Sequence, residues 1–240
     1  MNRIDSTLQN NNKIISIYFT AGYPALNDTE EIIIELEKSG VNMIEIGLPF
    51  SDPLADGPVI QETGNVALKN GMTTQILFNQ LQNIRNKVKI PLLIMGYINP
   101  IVQYGVEAFC KSCAQVGIDG VIIPDLPVDI YQNEYQAIFE KYGIYNILLI
   151  TPQTSEQRIR YIDSISKGFI YMVSTNATTG NQNDVNIETE NYFKRIASYH
   201  LNNPQVVGFG IHDLKSYQKA TQHQKGAIIG SDFMRFIQNK

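Results

Sequence analysis

The segment spanning residues 45–58 holds the densest set of side chains that could do chemistry. Its fourteen residues include three carboxylates, three prolines and two glycines. Proline lacks a backbone donor and glycine is entropically costly in a helix, so we expect no helix over this segment. Two of the carboxylates, Glu45 and Asp56, are candidates for general acid–base catalysis.

Glu45 interrupts the apolar run of residues 43–46, which is typical of a strand buried on both faces. Burial favours the neutral carboxyl group, so it should raise the pKa of Glu45 and let it serve as both acid and base near neutral pH. A structural glutamate that pairs with a buried cation or backbone amide is an equal alternative. Asp56 could be a simple turn residue. Together with Glu45, it supplies a second and more solvated carboxylate with a separate role.

The last quarter of the chain carries two glycine sites that are typical of anion binding. Gly208 and Gly210 follow one apolar run, and Gly230 and Ser231 follow the next. Glycine lets the backbone approach a phosphate closely, and the free amides at a helix start attract an anion. We expect Ser231 to begin a short helix. The loop at residues 178–184 either closes over a substrate or is an ordinary surface loop.

Eight short apolar runs alternate with amphipathic segments along the chain. The runs cover residues 14–19, 42–46, 91–95, 120–123, 146–150, 169–173, 205–208 and 227–229. Over 240 residues this gives about 30 residues per unit, the size of one strand and one helix. We predict a single (β/α)8 TIM barrel in the α/β class that forms one domain over residues 1–240, with an open doubly wound sheet as the alternative. Such a barrel places reacting groups at the carboxyl ends of its strands.

The composition excludes several classes of protein. Lysine and arginine total 19 against 23 acidic residues, and this net charge of −4 argues against a nucleic-acid or anionic-membrane surface. No apolar run approaches the roughly 18 to 20 residues of a membrane-spanning helix. The first residues lack the pattern of a secretion signal. We therefore expect a cytoplasmic protein that binds small molecules or other proteins.

The only two cysteines, Cys110 and Cys113, have a C-x-x-C spacing that could indicate a zinc or redox site. The three histidines lie far downstream without the spacing of zinc ligands. Both cysteines fall on the apolar face of a helix predicted over residues 106–116. We interpret them as buried helix residues and expect no metal site.

These residues resemble the tryptophan synthase alpha subunit family. The pattern Glu45-x-Gly47-x-Pro49-Phe50-Ser51-Asp52-Pro53-x-Ala55-Asp56-Gly57-Pro58 is similar to the signature of that family. The segments at residues 19–24, 95–100 and 124–127 fall where the other motifs of the family fall. The resemblance extends from about residue 14 to residue 237.

The resemblance implies a carbon–carbon lyase of tryptophan biosynthesis that needs no cofactor in this chain. The implied reaction is the retro-aldol cleavage of indole-3-glycerol phosphate to indole and D-glyceraldehyde 3-phosphate. Glu45 would be the acid and base, and Asp56 would stabilise positive charge at the ring nitrogen. The implied substrate-binding residues are Tyr18, Ile60, Tyr97, Tyr171, Thr179, Gly180, Gly208, Gly210, Gly230 and Ser231.

The resemblance also implies a partner, a pyridoxal-phosphate-dependent beta subunit that receives indole within an alpha2beta2 heterotetramer. Asp52 would face this partner, and Thr179 would belong to a loop that closes over substrate. The chain departs from the family pattern in three places. Residues 174–180 lack an arginine and a glycine of the usual motif, Tyr18 stands where phenylalanine is common, and both ends are short.

Two other functions are consistent with a phosphate-binding barrel. One is a phosphate-sugar enzyme, such as a ribulose-phosphate epimerase or a thiamine-phosphate synthase, which generally needs metal or diphosphate ligands. Only His212 stands near a predicted strand end as such a ligand. The other is a regulatory subunit that binds phosphate without catalysis, for which a buried Glu45 would be unnecessary.

Overall fold

The computed structural model describes residues 1–174, 185–208, 210–211 and 213–238. The strands are β1 (Ile14–Thr20), β2 (Met43–Gly47), β3 (Leu92–Met95), β4 (Gly120–Ile122), β5 (Tyr145–Ile147), β6 (Leu149–Ile150), β7 (Ile170–Val173), β8 (Gln205–Gly208) and β9 (Gly226–Ile229). The helices are α1 (Arg3–Asn10), α2 (Thr29–Lys38), α3 (Pro58–Lys69), α4 (Thr74–Leu81), α5 (Ile98–Tyr104), α6 (Val106–Val116), α7 (Val128–Ile130), α8 (Gln136–Lys141), α9 (Glu156–Ile165), α10 (Val185–Ser198), α11 (Leu214–Thr221) and α12 (Ser231–Gln238).

The strands form one parallel sheet in the order β5-β4-β3-β2-β1-β9-β8-β7-β6. The two ends of this order, β5 and β6, are separated in the chain only by Leu148. They are the halves of the single strand predicted over residues 146–150, so the sheet curves into a barrel of eight strand positions. The predicted (β/α)8 TIM barrel is confirmed.

The side chain of Glu45 points into the barrel interior. Side chains two residues apart on a strand share a face, and Met43 belongs to the interior apolar cluster. Positions 45 and 47 therefore face the interior as well. The strand register pairs Glu45 with Tyr18 on β1, which brings a phenol and a carboxyl group together inside the barrel.

Helix α1 closes the amino-terminal end of the barrel. Ile4 and Leu8, four residues apart and so on one face of the helix, are buried in the interior cluster. Arg3 and Arg85 both contact Asp119, with N–O distances of 2.9 Å and 2.5 Å. This leaves the opposite end, where the strands terminate at their carboxyl ends, as the place for an open cavity.

Within the segment at residues 45–58, residues 45–47 end β2 and residues 48–57 form a loop without a helix, as predicted, but Pro58 already begins α3. Proline suits this first helical position because its missing N–H would have no partner there, and its fixed φ favours the helix. Across the described parts of the chain, no helix is both long and apolar enough to span a bilayer.

Cys110 and Cys113 are both buried on α6, as the helical interpretation predicts. Burial raises the pKa of both thiols, so neither forms a reactive thiolate readily at neutral pH. Within the residues that the structure describes, no group of three or more His, Cys, Asp or Glu side chains is arranged to hold a metal ion.

Candidate active site

A cavity of about 220 Å³ opens at the carboxyl ends of the strands. The predicted site residues that line it are Tyr18, Asp56, Ile60, Tyr171, Gly210, Gly230 and Ser231. Residues that sequence reasoning missed also line it, namely Met95, Ile211, Ile228, Asp232 and Arg235. The barrel thus gathers residues from both ends of the chain around one site.

Glu45 is completely buried beneath this cavity and does not line it. The Ser16 hydroxyl donates a hydrogen bond to Glu45 Oε1 at 3.0 Å, while Oε2 has no partner among the described residues. Burial raises the pKa of Glu45 to about 8, against the opposing effect of the Ser16 hydrogen bond. The carboxyl group is therefore largely neutral at pH 7. In the described chain it has no cationic partner of the kind that a purely structural glutamate would need.

Asp56 lies in the loop between β2 and α3, and its carboxylate is held by Tyr97. The Tyr97 hydroxyl donates to Asp56 Oδ2 at 3.1 Å and accepts from the Ala55 amide at 2.9 Å. Burial raises the pKa of Asp56 to about 6, and the Tyr97 hydrogen bond acts in the opposite direction. Asp56 is less buried than Glu45, as predicted, and is mostly ionised at pH 7.

Two tyrosine hydroxyls complete the polar part of the site. Burial raises the pKa of Tyr18 and of Tyr171, and the nearby carboxylates of Asp56 and Glu45 raise both further. Both phenols therefore stay neutral. A Cβ atom on Gly47 would clash with the Tyr18 hydroxyl, and one on Gly208 would clash with the Tyr171 hydroxyl. The absence of a side chain at these two strand ends leaves the space that each phenol occupies.

The other predicted residues lie at the edge of the site or outside the described residues. Tyr97 and Gly208 are not among the residues that line the cavity. Tyr97 contacts Asp56 instead, and Gly208 accommodates Tyr171. Asp52 is exposed on the β2–α3 loop. Thr179 and Gly180 fall in the segment that the structure does not describe.

The predicted anion site lies where β9 leads into α12. Gly230 is the single residue between them, and Ser231 begins the helix as predicted. The first amides of a helix have no partner within it and carry partial positive charge, so they favour an anion. Gly210 has φ +72°, a left-handed conformation that favours glycine, and it lines the same cavity.

The sequence contains patterns that indicate three of these unpredicted lining residues, namely Met95, Ile228 and Arg235. Met95 is the last residue of β3, Ile228 is the last but one of β9, and both belong to the interior cluster, so strand alternation would have found them. Arg235 stands four residues after Ser231 and thus on the same face of α12.

The fold and the site define a (β/α)8-barrel enzyme with two carboxyl groups of unlike acidity at the carboxyl ends of its strands, near a cavity that two glycines and a helix start help to line. The sequence model of the tryptophan synthase alpha chain matches residues 4–240. The chain is 65% identical over 237 residues to the tryptophan synthase alpha chain of Flavobacterium johnsoniae, covering 99% of this chain and 94% of that protein. It is 55% identical to that of Bacteroides thetaiotaomicron, covering 100% of this chain and 94% of that protein.

Solved structures give the same result. The tryptophan synthase alpha subunit of Legionella pneumophila superposes with a TM-score of 0.89 at 32% identity, covering 100% of this chain and 90% of that chain. A chain of Mycobacterium tuberculosis tryptophan synthase gives 0.87 at 26% identity, covering 100% and 93%. The chain belongs to the tryptophan synthase alpha chain family. Members of this family are lyase subunits of tryptophan biosynthesis, and their known role is the cleavage of indole-3-glycerol phosphate.

Proposed function

We propose that Glu45 and Asp56 divide the acid–base work of this cleavage. The observation that carries the proposal is the difference in acidity between the two carboxyl groups, with a pKa of about 8 for Glu45 and about 6 for Asp56. At pH 7, Glu45 is therefore mostly a neutral acid and Asp56 is mostly an anion. Two carboxyl groups held in opposite states at one site are suited to separate roles.

The first step is proton transfer to the indole ring. Neutral Glu45 donates its proton to the ring carbon that carries the glycerol side chain, and positive charge develops at the ring nitrogen. The Asp56 carboxylate stabilises this charge, which is worth most in a site that excludes water. Because Glu45 is closed off from the cavity, its side chain must turn away from Ser16 towards the substrate.

The second step breaks the carbon–carbon bond. The Glu45 carboxylate takes the proton of the hydroxyl on the carbon attached to the ring. The electrons of the broken bond return to the ring, neutralise its nitrogen and release indole, while the side chain leaves as D-glyceraldehyde 3-phosphate. Glu45 is protonated again at the end, so the cycle consumes no external acid or base.

The remaining lining residues bind the two ends of the substrate. Tyr18, Ile60 and Tyr171 form a wall suited to the indole ring, and Tyr97 positions Asp56. The phosphate is held at the glycine sites and the start of α12, with the segment that contains Thr179 and Gly180 completing this end. The residues that we propose to bind the phosphate are Gly180, Gly208, Gly210, Gly230 and Ser231.

We propose further that the carboxyl-terminal rim binds a pyridoxal-phosphate-dependent beta subunit in an alpha2beta2 heterotetramer in the cytoplasm. Leu54 is 94% exposed beside exposed Asp52 on this rim, as expected of a surface that a partner covers. Pyridoxal phosphate belongs to the partner in this proposal, and the chain described here carries out the lyase step with its own side chains.

Incubation of the purified chain with indole-3-glycerol phosphate, with and without the beta subunit, tests the proposal directly. We expect indole release in at least the complex. No indole under either condition would remove the lyase assignment for this chain.

The pH dependence of kcat/KM is expected to be bell-shaped. Activity should rise through about pH 6 as Asp56 ionises and fall through about pH 8 as Glu45 loses the proton that it must donate. Initial rates of indole formation at low substrate concentration between pH 5 and 9 provide the measurement. A profile that is flat over this range would contradict both assignments.

Ser16→Ala provides the matched control for the upper limb of that profile. The Ser16 hydroxyl lowers the pKa of Glu45 by donating to its carboxylate. Its removal should therefore move the alkaline limb to higher pH and leave the acid limb in place. A shift of the acid limb alone would mean that the two limbs have been assigned to the wrong residues.

Gly230→Asp is expected to weaken the binding of phosphorylated ligands by at least about tenfold, because it places a negative charge at the proposed phosphate site. Gly230→Ala is the steric control. A Cβ atom there would lie 3.5 Å from Tyr18 Cδ1, an ordinary contact distance. The alanine variant should therefore lose much less affinity for glycerol 3-phosphate in titration calorimetry. Equal losses in the two variants would place the phosphate elsewhere.

A further inference from the structure

Three charged side chains of the described residues line the cavity, and two of them are acidic. Asp56 and Asp232 are carboxylates, and Arg235 is the only basic side chain among the described residues that line it. A phosphate ester bound here adds further negative charge. Because like charges in a partly enclosed cavity repel strongly, affinity for such a ligand requires a compensating cation.

The geometry of α12 directs Arg235 towards the anion site. Arg235 follows Ser231 by four residues, so the two share one face of the helix. Helical side chains tilt towards the amino terminus, which carries the Arg235 guanidinium back over the first turn. It is found there, with its Nη1 2.5 Å from Asp232 Oδ1.

This ion pair contributes little to folding stability. The Arg235 side chain is 57% exposed and the Asp232 side chain 32% exposed. Exposed pairs three residues apart on a helix are worth only a few tenths of a kcal/mol. The contact with Asp232 therefore does not by itself keep the guanidinium from binding a ligand.

Residues 175–184, the ten that follow Ser174 in the sequence, contain neither lysine nor arginine. Gly208, Gly210, Gly230 and Ser231 offer amides and a hydroxyl, all of them neutral. Arg235 is thus the candidate for the charge that a phosphate dianion requires.

We propose that Arg235 binds the phosphate of the substrate and thereby makes the site selective for phosphorylated ligands, while Asp232 holds the guanidinium in place and restrains its attraction for anions. This inference rests on the proposed function for the phosphorylated nature of the substrate. It assigns to an arginine side chain part of a task otherwise left to backbone amides and a serine hydroxyl. Guanidinium suits that task because it can donate two parallel hydrogen bonds to phosphate oxygens.

The test compares two probes that differ only in the phosphate, indole-3-propanol phosphate and indole-3-propanol. Their dissociation constants are measured by titration calorimetry for the wild-type chain, Arg235→Gln, Arg235→Lys and Asp232→Asn. Arg160→Gln is the matched control, since Arg160 is 54% exposed and pairs with Glu156 on its own helix α9, away from the cavity.

We expect Arg235→Gln to weaken the phosphorylated probe roughly 5- to 20-fold and to leave the unphosphorylated probe unchanged. Arg235→Lys should recover part of the loss, because it restores charge without the paired donors. Asp232→Asn should strengthen the phosphorylated probe by a few-fold. The effect of Arg235→Gln should shrink as salt is raised, since the pair is partly exposed.

The outcomes separate this inference from the proposed function. If the wild-type chain prefers the phosphorylated probe and Arg235→Gln keeps that preference in full, Arg235 has no part in phosphate binding. Equal weakening of both probes would likewise overturn the inference, because it would indicate a general effect on the pocket. If the wild-type chain binds both probes equally, the phosphate site itself is misplaced and the proposed function fails with it.

Discussion

Glu45→Gln is expected to lower kcat for indole formation by about 10²- to 10⁴-fold, the usual contribution of a positioned acid or base. Glutamine has nearly the shape of the neutral glutamic acid, and its carbonyl can still accept from Ser16. It cannot give up a proton to the ring carbon or take one from the hydroxyl. Steady-state rates with saturating indole-3-glycerol phosphate provide the measurement, and a near-wild-type rate would overturn the assignment.

The stability of the same variant shows whether the loss has a chemical origin. The pKa of Glu45 is about 8 in the folded chain against 4.5 for an ordinary glutamate. The folded chain therefore holds a proton that the unfolded chain releases between these values. The Glu45 share of wild-type stability should fall with rising pH across this window, by at most about 1.4 kcal/mol per pH unit. Glutamine should remove this share and leave the smaller one that the raised pKa of Asp56 contributes.

Denaturant unfolding of both proteins at several pH values measures the difference in the free energy of unfolding. We expect Glu45→Gln to be increasingly more stable than the wild type as the pH rises from 5 to 8, while its activity stays low. A variant that lost both activity and stability would indicate a structural glutamate instead of a catalytic one.

Asp56→Asn is expected to reduce kcat by about 10²- to 10⁴-fold as well, for a different reason. Asparagine keeps an oxygen that can accept from Tyr97, so the loop geometry should persist. It removes the negative charge that stabilises the developing charge at the ring nitrogen. Because this loss falls on the transition state, kcat should change far more than the affinity for indole-3-propanol phosphate.

Asp52→Asn makes the same chemical change four residues earlier in the same loop. Asp52 is exposed and does not line the cavity. Its substitution should therefore leave the indole release of the isolated chain close to that of the wild type, and any effect should appear only with the beta subunit present. If Asp52→Asn and Asp56→Asn reduced the rate of the isolated chain equally, disturbance of the loop would explain both.

The barrel and the two carboxyl groups that we propose for the site could be predicted from the sequence. Eight apolar runs at nearly even spacing leave few other folds, and the division of the fifth at Leu148 does not alter the barrel. Glu45 could be predicted because burying an unpaired acidic residue in an apolar strand costs free energy, so its presence there indicates a functional role. Ser231 could be predicted because a glycine and a serine after a strand are typical of a helix start.

How these groups contact one another became visible only in the folded chain. It gives Glu45 no cationic partner among the described residues, it joins Tyr97 to Asp56, and it places the guanidinium of Arg235 on the wall of the cavity. These contacts join residues from different strands and loops, or depend on where a long side chain comes to lie. Local patterns record which face of an element a residue occupies, whereas the pKa of a buried group depends on everything that packs around it.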